Sequence, residues 1–109
     1  MKTNKNARIK RKARIRSKIF GTKSRPRIAV YRSNTAFTVQ VIDDEKGHTL
    51  ISKTVKGTNR TVAISLGTEI ARLCKSKNIS QVVFDRGGYR YHGSLAALAQ
   101  TLREGGLTF

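Results

Sequence analysis

Residues 27–43 read RIAVYRSNTAFTVQVID and contain two strand patterns separated by a short turn. Apolar residues occupy alternate positions in Phe37–Asp43, as expected for a strand with one buried face. Arg27–Arg32 likewise places its alternate apolar residues on one face. Residues 33–35 are the turn formers Ser, Asn and Thr. The stretch therefore predicts an antiparallel hairpin, around which the rest of the domain is arranged.

A third strand pattern follows the hairpin. Residues 43–47 read DDEKG and are rich in turn formers, and His48–Val55 alternates more weakly than the strand before it. Two short connections between three consecutive strands predict an antiparallel meander.

The apolar residues then change to a helical period. Thr61–Lys77 carries one apolar stripe, formed by Val62, Leu66, Ile70, Leu73 and Cys74. Gly67 interrupts this helix at a cost of about 1 kcal/mol relative to Ala, which predicts a close approach of the helix to the sheet. Ser80–Phe84 is typical of a buried parallel strand, and Gly93–Glu104 of a second helix with Gly105 as its C-cap. The predicted fold class is α/β: a single domain of β-β-β-α-β-α order, with helices packed on a mixed β-sheet.

Positive charge is concentrated at the N-terminus. Residues 1–32 hold thirteen of the 23 Lys and Arg and no acid, so the net charge of +17 divides into +13 there and +4 in the rest. Such a chain needs a polyanion, and nucleic acid is the commonest one inside cells; the alternative is a solvated charged tail. We predict a basic RNA-binding arm and linker over residues 1–25 and a globular domain over residues 26–109. The arm and linker bases expected to bind phosphate are Arg8, Arg11, Lys12, Arg14, Arg16, Lys18, Lys23 and Arg25.

The conformation of the arm follows from two opposing tendencies. Residues 4–19 contain no Pro or Gly and favour a helix. Bases at i, i+4 spacing, such as Arg8, Lys12 and Arg16, repel one another and oppose it. We expect the arm to be frayed or disordered alone and ordered on a phosphate backbone.

Length and cysteine content exclude several classes. A chain of 109 residues has room for one domain. Cys74 is the only cysteine, so the chain can form neither an internal disulfide nor a cysteine-based zinc site. No apolar run approaches the roughly 20 residues of a membrane span, and the N-terminus lacks the apolar stretch of a secretory signal. The Arg-rich start resembles an organelle transit peptide, although its apolar face is ragged. We predict no enzyme, no cofactor and no metal.

The loop Asp85–Gly93 interleaves basic and aromatic residues between glycines. Its candidate contacts to RNA are Arg86, Tyr89, Arg90, Tyr91 and His92. Rings can stack on unpaired bases for about 1–3 kcal/mol each, and arginines can pair with phosphate. The alternative is a structural loop whose tyrosines pack on the domain.

The hairpin turn supplies a third candidate segment. Arg32, Ser33 and Asn34 have polar side chains that could contact sugar and phosphate. Ordinary turn chemistry explains the same residues.

Two other functions compete with structural RNA binding. Asp43, Glu69 and Asp85 fall at a strand end, on a helix and at another strand end, where carboxylates could hold Mg²⁺ for nucleic-acid cleavage. Against this nuclease, Asp85 adjoins Arg86 as if in an ion pair, Asp43 sits in an acid-rich turn, and helical Glu residues are usually solvated. The second competitor is a general polyanion binder, whose affinity would follow charge and ignore RNA identity.

Four blocks in order resemble a known family. They are RPRIAVYRSN at 25–34, QVIDD at 40–44, VVFDRGGYRYHG at 82–93, and REGGL at 103–107 before the terminal Phe109. Together they closely resemble the bacterial-type ribosomal protein eighteen of the large subunit, the family that binds 5S rRNA. The resemblance covers the chain from about Arg8 to Phe109, and residues 84–93 are its most specific part.

The resemblance implies more than composition does. It implies an RNase-H-like trace without catalysis, attachment of 5S rRNA to 23S rRNA in the central protuberance, and a position near ribosomal protein five. It also implies location in the ribosome, in the cytoplasm or in a plastid stroma. The residues carried over as RNA contacts are Arg27, Arg32, Ser33, Asn34, Arg86, Tyr89, Arg90, Tyr91 and His92. The basic connection at residues 56–60 departs from the family pattern, so Lys53, Lys56 and Arg60 either extend the RNA face or only face solvent.

Overall fold

The predicted order of elements is confirmed. A computed structural model describes residues 7, 9–10, 19–87 and 93–109. Within this part of the chain the elements are β1 (Arg27–Arg32), β2 (Ala36–Asp43), β3 (His48–Lys56), α1 (Arg60–Ser76), β4 (Val83–Asp85) and α2 (Ser94–Glu104). The chain is therefore an α/β protein of β-β-β-α-β-α order.

The N-terminal arm is described at three positions before residue 19. Ala7, Ile9 and Lys10 are helical, and Ile9 is exposed. The remaining arm residues lie outside the described part of the chain, so the expected ordering on RNA and the division at residue 25 stay predictions.

The sheet has the strand order β3-β2-β1-β4. β1 pairs antiparallel with β2, and β2 pairs antiparallel with β3, which confirms the meander. β4 lies parallel to β1, with Ile28 opposite Phe84. α1 provides the long crossover that a return to the far edge of the sheet requires.

One face of the sheet is buried under the helices. The residues of β2 alternate between buried and half-buried along its whole length, as the sequence predicts. The core is built from this face and from the apolar stripes of both helices: Ile28, Val30, Phe37, Val39, Val41, Leu66, Ile70, Cys74, Leu98 and Leu102. No helix in the described residues is both long and apolar enough to cross a membrane.

Gly67 permits a close approach, but the expected partner was wrong. A Cβ added at Gly67 would lie 3.0 Å from Thr101 Cβ and 3.3 Å from Leu98 Cδ1, and both residues belong to α2. The glycine therefore brings α1 against α2 and not against the sheet. Its cost in helix propensity is offset by packing between the two helices.

The end of α2 forms a Schellman motif. The Leu107 N–H donates to the Leu102 carbonyl at 3.2 Å, and the Gly106 N–H donates to the Arg103 carbonyl at 3.1 Å. Gly105 is the C-cap, as predicted, but the left-handed residue is Gly106, with φ of +107°. The motif turns the chain back so that Leu107 enters the core.

The last strand is shorter and later than the sequence predicts. The expected strand Ser80–Phe84 is observed as Val83–Asp85. Before it, the Val82 N–H donates to the Thr108 carbonyl at 3.1 Å, and the Thr108 N–H donates to the Ser80 carbonyl at 2.8 Å. The C-terminal tail therefore pairs with the segment just before β4, on the edge opposite to β1, a contact that local sequence does not reveal.

The buried thiol of Cys74 gives the folded state a pH dependence. Burial raises the pKa of Cys74 from its ordinary 9.0 to about 11. Because the folded pKa is raised, this stability is complete below pH 9 and is lost as the pH rises toward 11, by up to about 2 kcal/mol. We expect Cys74→Ala, which cannot ionise, to lose less stability than the unsubstituted protein between pH 9 and 11 in urea unfolding. Parallel pH profiles would contradict this expectation.

Candidate nucleic-acid interface

The linker between arm and domain is attached to the sheet. The Gly21 N–H donates to Asp44 Oδ2 at 2.8 Å, and the Asp44 N–H donates to the Gly21 carbonyl at 2.9 Å. A short turn follows, in which the Thr22 N–H donates to the Arg25 carbonyl at 3.0 Å. The candidate bases Lys23 and Arg25 are exposed in this anchored turn, where phosphate can reach them.

Gly21 is a residue that sequence reasoning missed. A Cβ at this position would collide with the backbone nitrogen of Arg27 and lie 2.7 Å from the Ile42 carbonyl oxygen. The linker therefore lies directly on β1 and β2, and only glycine fits there. A single glycine before a basic turn gave no signal of this contact.

Gly21→Ala is expected to release the linker from the sheet. Because the colliding atoms are backbone and cannot move aside, the substitution should cost about 1–3 kcal/mol of unfolding free energy. Chemical denaturation measures this loss. Ser24→Ala in the exposed part of the linker is the control and should stay within about 0.5 kcal/mol. Equal stability of the two variants would show that the contact is dispensable.

Arg27, a sequence-predicted RNA contact, lies inside the protein. It is 8 % exposed, and its guanidinium donates to Asp44 and Asp85 in three hydrogen bonds of 2.9–3.0 Å. The hydrogen bonds to Asp44 are the main cause of the raised pKa of Arg27. We therefore remove Arg27 from the proposed phosphate contacts, because its donors are aimed at protein carboxylates.

The hairpin turn combines turn chemistry with exposed polar groups. The Ser33 hydroxyl accepts from the Ala36 N–H at 3.1 Å and from the Thr35 N–H at 3.3 Å, so it closes the turn. Asn34 is exposed at the tip. Arg32 is also exposed, with its guanidinium 5.8 Å from the ring centre of Phe37. All three candidates are thus exposed, and Ser33 also has a structural role in closing the turn.

The turn meets the basic connection after β3. The Gly57 N–H donates to the Thr35 carbonyl, and Ala36 pairs with Lys56 in the sheet. Lys56 is exposed beside the turn, and Arg60 is exposed at the start of α1. Lys53 pairs with Val39 on the helix-covered side of the sheet. The pKa of Glu69 on α1 is lowered mainly by Arg72 and to a smaller extent by the charge of Lys53. The structure thus places Lys56 with the turn and Lys53 with α1.

The basic loop begins beside the linker. Arg86 is half-buried, and Arg25 and Arg86 line one cleft of about 430 Å³. Arg103 lines the same cleft, and its guanidinium lies 4.3 Å from the ring centre of Phe109. Tyr89, Arg90, Tyr91 and His92 lie outside the described residues, so their predicted contacts are untested.

This cleft joins candidates that the sequence placed far apart. The ring of Phe109 stacks on Phe84 with centroids 5.3 Å apart, so the ring that Arg103 contacts is itself held against β4. Sequence reasoning did not select Arg103 or Phe109 as functional, although both lie in the C-terminal block of the resemblance. A basic residue in the last helical turn before a terminal aromatic is the signal that could have indicated them.

The three carboxylates of the nuclease alternative are engaged separately. Asp43 Oδ1 accepts from the Glu45 N–H at 3.0 Å within its turn. Glu69 binds Arg72 on the surface of α1. Asp85 binds Arg27, so its ion pair is with this residue and not with the adjacent arginine that the sequence suggested. In the described ranges no three His, Cys, Asp or Glu residues form a group that could hold a metal ion, and nothing supports the nuclease.

Comparison with known proteins identifies the family. Residues 2–109 match the family described as ribosomal L18 of archaea, bacteria, mitochondria and chloroplast. A large ribosomal subunit protein uL18 of Nitratidesulfovibrio vulgaris is 51 % identical, with all of both chains covered. The uL18 of Pseudothermotoga lettingae is 47 % identical over 94 % of this chain and 92 % of its own. That of Trichodesmium erythraeum is 47 % identical over 98 % of both.

The basic α/β domain and these relatives together define the class, which is a ribosomal protein with a structural and not an enzymatic role. The chain belongs to the ribosomal L18 family, as the resemblance of its four sequence blocks predicts. It therefore works in the ribosome, among rRNA and other ribosomal proteins.

Proposed function

We propose that this chain, a structural constituent of the large ribosomal subunit, binds 5S rRNA and helps to attach it to 23S rRNA in the central protuberance. Ribosomal protein five is its proposed neighbour there, in the cytoplasm or, for a plastid-encoded protein, in the plastid stroma. Family membership over residues 2–109 is the observation that carries the proposal. The choice of 5S rRNA rests on the resemblance of residues 84–93 to the 5S-binding family.

Charge supplies most of the proposed affinity. The acid-free arm continues into Lys23 and Arg25, which are exposed on the anchored linker. Each phosphate that a base neutralises releases counterions, so affinity falls steeply with salt. Arg25 then reaches the cleft that it shares with Arg86 and Arg103. RNA on the arm would therefore pass directly to the start of the basic loop.

Shape and exposed bases supply the proposed specificity. The turn offers Arg32 and Asn34 on a hairpin fixed by the Ser33 hydroxyl. The loop offers the side chains of residues 89–92, whose rings are suited to unpaired bases. The turn is preformed, since the Ser33 hydroxyl closes it, and would read RNA at a lower entropic cost than a flexible segment.

A salt titration tests the choice of RNA. The full chain is titrated with its own 5S rRNA and with an unrelated structured RNA of equal length. We expect 5S rRNA to keep at least a tenfold preference, about 1.4 kcal/mol, as salt rises. If the two affinities converge, the chain is a general polyanion binder and the proposal fails.

The attachment to 23S rRNA has a separate test. Large subunits reconstituted with and without this chain are compared by gradient centrifugation for retained 5S rRNA. We expect particles without the chain to lose 5S rRNA. Full retention without it would overturn this part of the proposal.

Two lysines on β3 offer a matched test of the interface. Lys56→Gln should weaken 5S rRNA binding and lower the salt slope by about 0.7–0.9, the value of one phosphate contact. Lys53→Gln removes the same charge three residues away, but on the side of Glu69, and should leave the slope unchanged. Filter binding at several salt concentrations measures both. Equal effects of the two substitutions would argue for general charge attraction.

A further inference from the structure

We infer that Arg27 is a positioning residue, which joins the two carboxylates that fix the linker and the start of the basic loop. The arm and the loop would then leave the domain at a set distance from each other. The inference rests on the proposed RNA-binding function, since it assigns Arg27 an indirect role in that function.

The Asp44 side of the arrangement holds the linker. Arg27 Nε donates to Asp44 Oδ2 at 2.9 Å, and Nη2 donates to Oδ1 at 3.0 Å, so the carboxylate is bound at both oxygens. The same Oδ2 accepts from the Gly21 N–H at 2.8 Å. Gly21 is thus held by a carboxylate that Arg27 orients and neutralises.

The Asp85 side holds the loop. Arg27 Nη1 donates to Asp85 Oδ2 at 2.9 Å, and the other oxygen, Oδ1, accepts from the Gly87 N–H at 2.8 Å. The Asp85 side chain is only 2 % exposed. Gly87 is the last described residue before the basic loop. Arg27 therefore links residue 21 to residue 87 through two parallel bridges of the same kind.

Burial makes this arrangement depend on Arg27. Without the guanidinium, the buried carboxylate of Asp85 and the half-buried carboxylate of Asp44 would have no positive charge between them. Their repulsion and desolvation would separate the linker from the loop. An arginine is protonated throughout the working pH range, so the joining charge is always present.

Three variants test the inference by amide hydrogen exchange and RNA affinity. Arg27→Met should speed exchange of both the Gly21 and Gly87 amides at least about tenfold and weaken 5S rRNA binding about tenfold. Arg25→Met, two residues earlier and exposed, removes the same charge. It should lower the salt slope by about 0.7–0.9 and leave the Gly87 amide unchanged. Unchanged amides in Arg27→Met would overturn the inference.

The triple variant Arg27→Met, Asp44→Asn, Asp85→Asn separates positioning from direct contact. The Asn carbonyl oxygens can still accept from Gly21 and Gly87, and none of the three substituted positions carries a charge. We expect the triple variant to recover RNA affinity to within about threefold of the original, with an unchanged salt slope. The net charge of the triple variant is one unit higher than that of the original protein, which by itself favours RNA binding. The salt slope is therefore measured together with the affinity.

If Arg27→Met fails to fold, the RNA affinity and salt slope of the triple variant still distinguish positioning from direct phosphate contact. Persistently weak binding and a slope lower by one contact in the triple variant would make Arg27 a phosphate contact and overturn the inference. If the original protein shows no preference for 5S rRNA, the proposed function fails. The amide data would then still report whether Arg27 positions the linker and the loop.

Discussion

Replacing Arg27 with methionine is expected to lower the free energy of unfolding by about 3–5 kcal/mol, the usual cost of leaving a buried charge without its partner. Asp85 is 1 % exposed and Asp44 is half-buried, so neither can regain full hydration in the folded state. Both carboxylates would keep their hydrogen bonds from backbone amides but lose the positive charge between them. Urea unfolding followed by circular dichroism measures the loss.

The control for this prediction is Arg25→Met. Arg25 is exposed, so its replacement should change stability by no more than about 0.5 kcal/mol. The comparison holds the charge change constant and varies only the burial. If Arg27→Met also stays within about 1 kcal/mol, the ion-pair cluster contributes little and water must screen its carboxylates.

The fold was predictable wherever period and turn residues acted locally. Phe37–Asp43 alternates so regularly that a shift by one residue would expose its whole apolar face, which fixes the register with β1. The turns at residues 33–35 and 44–47 are too short for the crossover that parallel strands need, so the strands that they join must be antiparallel. The stripe of α1 likewise follows from its helical period, and its buried residues include Leu66, Ile70 and Cys74.

The errors all concern contacts between distant parts of the chain. Gly67 indicated a close approach but could not say that its neighbour would be Thr101 on α2. β4 begins only at Val83, where its pairing with β1 begins, whereas the residues before it pair with Thr108 on the other edge. Period and propensity carry no information about which of two distant segments will pair.

The site was predictable as composition and less so as geometry. The basic arm and the exposed bases of the linker were evident, because an acid-free run has a clear meaning for polyanion binding. Arg27 looked the same as its neighbours in sequence, yet its partners lie 17 and 58 residues away. A basic residue between two strand-forming runs can bind phosphate or carboxylate, and only the fold decides between them.

Deletion of residues 1–18 is expected to weaken 5S rRNA binding at least about 100-fold at physiological salt. The deletion removes nine basic residues and no acid, so the net charge falls from +17 to +8. If half of these bases contact phosphate, the salt slope should fall by about 3 or more, at roughly 0.7–0.9 per contact. Filter binding across a salt series gives both quantities. Unchanged affinity at low salt would show that the arm is a solvated tail.

The deletion can be interpreted as a loss of RNA contacts because the domain has its own core. In the part of the chain that the structure describes, all the core residues lie between Ile28 and Leu107, so unfolding of the truncated protein should occur at a similar urea concentration. A full-length variant with the first eighteen residues in shuffled order then separates charge from position. This variant keeps all nine basic residues. If binding depends on charge alone, both the affinity and the preference for 5S rRNA will be preserved. If residue order matters, the salt slope should remain while the preference for 5S rRNA falls, because the anchored linker directs each arm residue to a particular place on the RNA.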